Sequence, residues 1–252
     1  LKIYFIIDKK SQEMIYMIRR LPVEKMGESK LEWLRSKFHF SFAEYFNENN
    51  INFGVLRVIN DDLISTNTGF DTHPHRDMEI ITYVVHGYLT HKDSMGNEST
   101  LSRGQVQYMS AGTGVSHSEY NNHSEELRLL QIWVLPDKKG HTPNYGEYKF
   151  DWNERKNKFL HFVSSKSGNA PIKVNQDINF YALELDDEKE EKFEVKHGRQ
   201  AYVVQIEGKS SINDLVLNEK DGLETIGESL KIKALGKSHI LIIEMQERED
   251  LK

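Results

Sequence analysis

The sequence predicts an all-β protein with two barrels or sandwiches in one chain. Short runs of alternating apolar and polar residues recur between glycine, asparagine and aspartate turns about every 8–12 residues, which is typical of such folds. No long amphipathic helical pattern interrupts them. This succession of strands and turns is interrupted at 138–158, a segment with glycine, proline and many charged residues, and continues after it. We therefore predict a first domain at 14–137, a linker at 138–158 and a second domain at 159–252.

The composition is that of a globular protein and disfavours two classes of partner. Of the 252 residues, 38% are hydrophobic and 29% charged, and no apolar run reaches the roughly 18 residues that cross a bilayer. The net charge of −6 and the lack of a sustained Lys/Arg block disfavour nucleic acid binding. The absence of cysteine excludes disulfides and thiolate metal ligands. It also fits a reducing compartment, so we expect a cytoplasmic protein.

The first residues are predicted to lie outside the fold. Residues 1–13 begin without methionine, and their apolar core is too short for a secretory signal. We interpret them as an upstream extension, and an extra edge strand is the alternative. A short β-prone run follows at 14–18. The aromatic segment 33–45 is predicted as strand and loop, with three phenylalanines on one side and His39 and Ser41 on the other.

The first domain is predicted to consist of short strands joined by turns. Asp61-Asp62 and His86-Gly87 are predicted turns, the second leading into a returning strand, and Gly96-Asn97 is a hairpin tip. The strands are predicted at 52–60, 79–85, 88–91, 105–109 and 128–135.

The second domain repeats this rhythm without the same chemistry. Its histidines are scattered singly, which is far more typical of structural residues than of ligands, so we predict the same architecture without a metal. The strands are predicted at 159–163, 172–174, 178–185, 201–206, 211–217 and 239–244. The single histidines are His161, His197 and His239.

Metal-binding chemistry concentrates in two pairs of side chains in the first domain. His73 and His75 form one pair, and His117 and Glu119 form the other. Because residues i and i+2 of a strand point to the same face, each pair can aim at one point. Pro74 cannot donate a ladder hydrogen bond, which predicts an edge, a bulge or a strand start. If the two strands face each other across a barrel, the four groups converge on a metal ion.

The donor atoms restrict the metal. Three imidazoles and one carboxylate suit Fe(II), Mn, Co, Ni, Cu or Zn and do not suit Ca or Mg. On a metal that prefers five or six ligands they leave one or two positions open for substrate or oxygen. A tetrahedral zinc would be closed by the same four ligands and would be structural. The absence of thiolates argues against that alternative.

Longer segments of the chain resemble the pirin family of the cupin superfamily. The resemblance is carried by HPHRDME, DSMGNE and GTGVSHSE, with WLRSKFHFSFAEY and LQIWVLP also similar. It runs from about residue 17 to the C-terminus and is weaker in the second half. It implies a bicupin, in which two jelly-roll barrels (double-stranded β-helices) share one chain. It also implies one metal, with Fe(II) as the first candidate, held by the N-terminal barrel.

The resemblance also assigns the ligands. General cupins often use a glutamate four residues after the second histidine, which here is Glu79. In pirins the carboxylate instead follows the third histidine by two residues, which is Glu119. The ligands implied are therefore His73, His75, His117 and Glu119. This leaves Glu79 as a candidate for orienting a ligating imidazole.

The function that the resemblance implies is flavonol cleavage. Several pirins act as quercetin 2,3-dioxygenases with O₂, and others are described as nuclear transcriptional cofactors. We expect a flavonol to bind through its 3-oxygen, with Glu119 taking the proton. Phe42, Met109 and Trp133 are candidates for the pocket wall. The alternatives are a non-enzymatic metal or redox sensor that binds a protein partner, and another cupin reaction.

Overall fold

The fold is given by a computed structural model, which describes residues 17–248. These residues form β-strands and two short 3-10 helices, Val23–Lys25 and Trp152–Arg155, which confirms the all-β prediction. No helix among them is long and apolar enough to cross a membrane. The first half contains β1 (Met17–Leu21), β2 (Gly27–Lys30), β3 (Leu34–Phe38), β4 (Leu56–Ile64), β5 (Thr68–His75), β6 (Glu79–His86), β7 (Tyr88–Asp93), β8 (Glu98–Ser102), β9 (Val106–Ser110), β10 (Val115–Asn121), β11 (Leu127–Val134) and β12 (Asn144–Tyr148).

The second half has the same sheet order as the first. Its strands are β13 (Leu160–Ser165), β14 (Ile172–Val174), β15 (Ile178–Leu185), β16 (Glu190–Phe193), β17 (Arg199–Glu207), β18 (Ser210–Ile212), β19 (Leu215–Leu217), β20 (Gly222–Ile226), β21 (Leu230–Ala234) and β22 (Ser238–Gln246). The sheets β12-β9-β6-β11-β4-β3-β2 and β5-β10-β7-β8 form the first barrel. The sheets β1-β20-β17-β22-β15-β13-β14 and β16-β21-β18-β19 form the second. The two-barrel prediction is therefore confirmed.

The largest core lies between the two seven-stranded sheets. Ile81 and Tyr83 of β6 share this interface core with Phe180 and Ala182 of β15, and all four are fully buried. Alternate residues of the same strands point the other way, into the barrels, because side chains alternate across a strand. The second barrel is filled by an apolar cluster, whereas the first barrel has only smaller apolar clusters. The interior of the first barrel therefore has room for polar chemistry.

Strand β1 belongs to the second barrel, although its residues were assigned to the first domain. It pairs with β20, with Met17 opposite Ile226. Strand β12 lies in the predicted linker and takes the same edge position in the first barrel, beside β9. The linker also holds the helix Trp152–Arg155, so its polar composition does not mark an unstructured segment. Residues 1–13 and the first part of the run at 14–18 lie outside the described residues.

The predicted turn at Asp61-Asp62 is wrong, because both residues lie inside β4 and are buried. Asp61 is compensated by two cations. The guanidinium of Arg128 donates to it at 2.7 and 3.0 Å, and the Lys220 ammonium lies 3.1 Å away. An aspartate pair normally indicates a turn because a buried charge is costly. The distant cations offset that cost for Asp61, whereas burial raises the pKa of Asp62 to about 7.

One hairpin prediction and one strand prediction are also wrong. Strand β7 does not return beside β6 after Gly87, because β6 pairs with β9 and β11 while β7 lies in the four-stranded sheet. The predicted strand at 211–217 is two strands, β18 and β19, that turn at Asn213 and Asp214 in left-handed backbone conformations. In the second half, β16, β20 and β21 were not predicted, and in the first half β2 and β12 were not predicted either. β16 is charge-rich, and its pattern does not stand out locally.

Acid should destabilise the domain interface through His39. This buried imidazole lies 2.9 Å from the hydroxyl of Tyr202 in the other barrel, and burial lowers its pKa to about 4. Between the ordinary value of about 6.5 and about 4, only the unfolded chain binds the proton, so stability falls as pH falls through this range. We expect His39→Gln to reduce that loss by roughly 3 kcal/mol.

Urea unfolding at pH 7 and at pH 4.5 measures this effect. The exposed His197 provides a matched control, because His197→Gln should leave the pH dependence as in the wild type. An equal loss of stability in the wild type and in His39→Gln would contradict this account of the interface.

Candidate metal centre

His73 and His75 lie on β5, and His117 lies on the neighbouring strand β10 of the four-stranded sheet. His73 is directly opposite His117 in the antiparallel register. The strands were expected to face each other across a barrel, and this is wrong, because they are hydrogen-bonded neighbours. β5 is the edge strand of its sheet, as Pro74 predicts. Convergence therefore follows from cross-strand pairing, which places opposite side chains about 5 Å apart.

The three imidazoles form a compact cluster, here called the outer triad. The ring centroids of His73 and His117 are 4.6 Å apart, and the ring centroid of His75 lies 4.8 Å from that of His73 and 4.9 Å from that of His117. Nδ1 of His73 donates to the carbonyl oxygen of Asp71 at 2.7 Å, which leaves its Nε2 free. Both ring nitrogens of His117 are buried without a hydrogen-bond partner. The triad can hold a metal ion, since one ligand atom from each residue lies within 4.8 Å of the others.

Glu119 lies deeper in the barrel, beyond a register shift that follows His117. Its carboxylate accepts hydrogen bonds from Thr82 at 3.1 Å, from Gln107 at 2.5 Å and from Gln131 at 2.5 Å. Glu119 belongs to a second group of possible ligands, here called the inner triad, together with His91 and His117. The four predicted ligands thus occupy two triads that share His117, and Glu119 is not grouped with the two histidines of β5.

Burial sets the charge of these groups. It lowers the pKa of His75 to about 4 and that of His117 to about 3, with the neighbouring imidazoles adding to the effect. Both rings are therefore neutral near pH 7, as a metal ligand must be. Burial also raises the pKa of the Glu119 carboxyl. A divalent ion fits this donor set, because neutral nitrogens without partners and one buried oxygen anion are the ligands that transition metals take.

Glu79 does not orient a ligating imidazole, so that prediction is wrong. Its carboxylate accepts from Ser110 at 2.7 Å, from Tyr108 at 3.1 Å and from the backbone N–H of Asn175 in the second half at 3.0 Å. Odd-numbered residues of β6 face the domain interface, whereas even-numbered Thr82 faces the barrel and reaches Glu119. Glu79 therefore joins the two halves.

Four residues of the site were not predicted. Thr82, Gln107 and Gln131 hold the Glu119 carboxylate, and His91 completes the inner triad. The sequence could have indicated these four residues through strand alternation, because each lies at a position that faces the barrel interior. For His91 the alternation with Asp93 was a further indication, since the aspartate oxygen lies 3.2 Å from its Nε2.

Aromatic side chains form a wall beside the outer triad. The Trp133 ring is 5.0 Å from His75 in an edge-to-face arrangement, and Phe42 packs on Trp133 at 5.5 Å. Met109 is buried in the small cluster against which Trp133 packs. The three residues expected to wall the pocket thus lie on this side of the barrel. An open pocket of about 410 Å³ touches the triad only at His75 and is lined otherwise by residues at 74, 76, 94 and 114–116, so Phe42, Met109 and Trp133 do not line it.

The second barrel lacks such a site within residues 159–248. Strand β21 takes the position of β10 between its two neighbours, and its buried alternate residues are Leu230, Ile232 and Ala234. Among the described residues, the groups of histidine and carboxylate close enough for a metal are the two triads of the first barrel. Hydrocarbon fills the corresponding space in the second.

The fold and the site define a two-barrel cupin with one candidate metal centre, and comparison with known proteins gives its family. The chain belongs to the pirin family, which it matches over residues 21–134, and residues 161–245 match the quercetinase C-terminal cupin domain. The quercetin 2,3-dioxygenase of Escherichia coli K12 is 38% identical over 234 residues, covering 92% of this chain and 99% of that protein.

Two solved structures show the same fold. The crystal structure of YhhW from Escherichia coli superposes with a TM-score of 0.88 at 37% identity and covers 92% of this chain and 99% of that one. The structure of the bacterial pirin YhhW from Escherichia coli in complex with nickel(II) gives a TM-score of 0.87 at 36% identity, and the match covers 92% of this chain and 100% of that one. A pirin of this fold therefore binds a divalent transition metal.

Proposed function

We propose that this chain is a metal-dependent dioxygenase that cleaves a flavonol such as quercetin with O₂. The observation that carries the proposal is the outer triad, which lies beside Trp133 and shares His117 with the group that contains the buried Glu119 carboxylate. The name of the 38% identical Escherichia coli relative, quercetin 2,3-dioxygenase, supports the same chemistry. Fe(II) is the proposed resident ion, with Mn, Co, Ni, Cu and Zn as the alternatives that the donor set allows.

The ion would be held by His73, His75 and His117, with Glu119 as the fourth ligand. When bound, it supplies Lewis acidity that lowers the pKa of the flavonol 3-hydroxyl group. The unpartnered nitrogens of His117 and the fixed tautomer of His73 support this assignment.

The protein's own residues would accept the proton and orient the substrate. A Glu119 oxygen would take the hydroxyl proton as a general base. Gln107 and Gln131 hold the carboxylate in place with hydrogen bonds of 2.5 Å. Trp133 and Phe42 provide an apolar face for the planar rings. In the overall reaction both atoms of O₂ join the flavonol, its central ring opens, and one carbon leaves as CO.

Turnover by metal-loaded protein tests the proposal. Protein reconstituted anaerobically with each candidate metal is mixed with quercetin in air, and flavonol absorbance, O₂ uptake and CO release are followed. The Escherichia coli relative serves as a parallel enzyme. We expect Glu119→Gln, assayed at saturating metal, to lower kcat by about 10²- to 10⁴-fold because an amide cannot take the proton.

Glu79→Gln is the matched control, since it makes the same change at a buried carboxylate that faces the domain interface. We expect this variant to retain turnover. Wild-type protein that leaves quercetin unchanged with every metal would refute the proposed activity, and an unaffected kcat in Glu119→Gln would refute the role of Glu119.

A further inference from the structure

We propose that the first barrel can hold its metal ion at a second, deeper position, formed by the inner triad of His91, His117 and Glu119. An ion would occupy either this position or the outer triad, because both use His117. The inference rests on the metal centre of the proposed function and not on which substrate reacts there.

Strand register brings His91 to this position. His91 lies on β7 directly opposite Glu119 of β10, and a ligand atom from each member of the inner triad lies within 4.8 Å of the others. Three ligand atoms evenly spread around one ion with bonds of about 2.1 Å are about 3.6 Å apart. Closing the triad from separations of up to 4.8 Å therefore needs each ligand atom to shift by up to about 0.7 Å.

The His91 imidazole is held as a metal-ligating histidine is usually held. Its Nε2 lies 3.2 Å from Oδ2 of Asp93, and its ring stacks on Tyr145 at 4.6 Å with an interplanar angle of 12°. The Asp93 carboxylate is fixed in turn by the backbone N–H groups of Met95 at 2.9 Å and Asn97 at 3.0 Å. The other ring nitrogen of His91, Nδ1, is buried and has no hydrogen-bond partner. A carboxylate on one nitrogen and a free second nitrogen is the arrangement that orients metal-bound imidazoles.

The two positions differ in their distance from the Glu119 carboxylate and in access. All three members of the inner triad are buried, whereas His73 and His75 are only half-buried. Glu119 already lies within ligand distance of His91 and His117, whereas as the fourth ligand of an ion at the outer triad its carboxylate would have to move toward the two histidines of β5. An ion in the inner position would be attracted by the anion and would be out of reach of a bulky flavonol. The inner triad therefore serves as a storage position, and the outer triad as the position that substrate reaches.

Cobalt binding separates this proposal from a purely structural role of His91. Co(II) is titrated into wild type, His73→Ala/His75→Ala and the same double variant with His91→Gln, and visible absorption and bound metal are measured. We expect the double variant to bind one equivalent, at least about tenfold more tightly than the triple variant. Glutamine at position 91 keeps a donor for Asp93, which limits damage to the fold.

Two controls accompany the titration. His123→Ala in the double variant changes a histidine that stacks on Tyr88 away from the site and should leave Co(II) affinity unchanged. His117→Ala defines the baseline without either triad. A double variant that binds Co(II) no better than His117→Ala, or equally well with and without His91, would overturn the inner position. No flavonol is used, so this outcome is independent of the proposed activity.

Discussion

Replacing His117 by alanine is expected to remove the bound metal altogether. His117 is the one residue common to both triads, and both of its ring nitrogens are buried without a partner. Without it, the inner triad keeps only two ligands, and the outer position keeps two imidazoles with a carboxylate that is not grouped with them, so neither should hold a divalent ion against water. Metal analysis of the variant as purified should give background content, where the wild type gives about one equivalent per chain.

His161→Ala is the matched control, because this histidine lies in the second barrel, stacked on Tyr181 at 4.4 Å. It should leave the metal content unchanged. Far-UV circular dichroism verifies that both variants are folded. A folded His117→Ala protein that keeps the wild-type metal content would show that the ion is bound somewhere else.

Replacing Phe180 by alanine is expected to lower the free energy of unfolding by about 3–5 kcal/mol. Phe180 is fully buried in the core between the two seven-stranded sheets, with its ring 5.9 Å from that of Phe162. The loss combines the transfer of the ring to water with the cavity that remains. Because residues of both halves share this core, both barrels should lose stability together.

Urea unfolding followed by tryptophan fluorescence measures the effect. Val216→Ala, at an exposed position of β19, is the control and should change stability by less than about 0.5 kcal/mol. A single shifted transition is the expected result for Phe180→Ala. A separate early transition of the second barrel, with the first unchanged, would contradict a shared core.

Most strands, and the pairing of the candidate ligands, could be predicted because both depend on a period of two. His73 and His75, like His117 and Glu119, are two apart, and alternation alone places each pair on one face. The same alternation predicted most strands of the first half. The family resemblance added the preference for Glu119 over Glu79, and Glu79 indeed points out of the barrel.

The remaining features depend on which strand pairs with which, and short patterns do not contain that information. β1 gives no sign that its partner is β20, some two hundred residues away. His91 joins the site because β10 lies between β5 and β7, an order set by the whole sheet. Asp61 is buried in β4 because Arg128 and Lys220 reach it from distant segments. In each case a long-range contact, which the local sequence does not reveal, determined the position of the strand or side chain.

Anomalous diffraction from crystals grown with Ni(II) tests the central claim most directly, namely that one metal centre is built around His117 in the first barrel. We predict one strong peak per chain, about 2.1 Å from a ring nitrogen of His117 and bonded to further members of the two triads. The second barrel should show none at the corresponding place beside Ile232. A principal peak in the second barrel, or one without His117 as a ligand, would contradict the account.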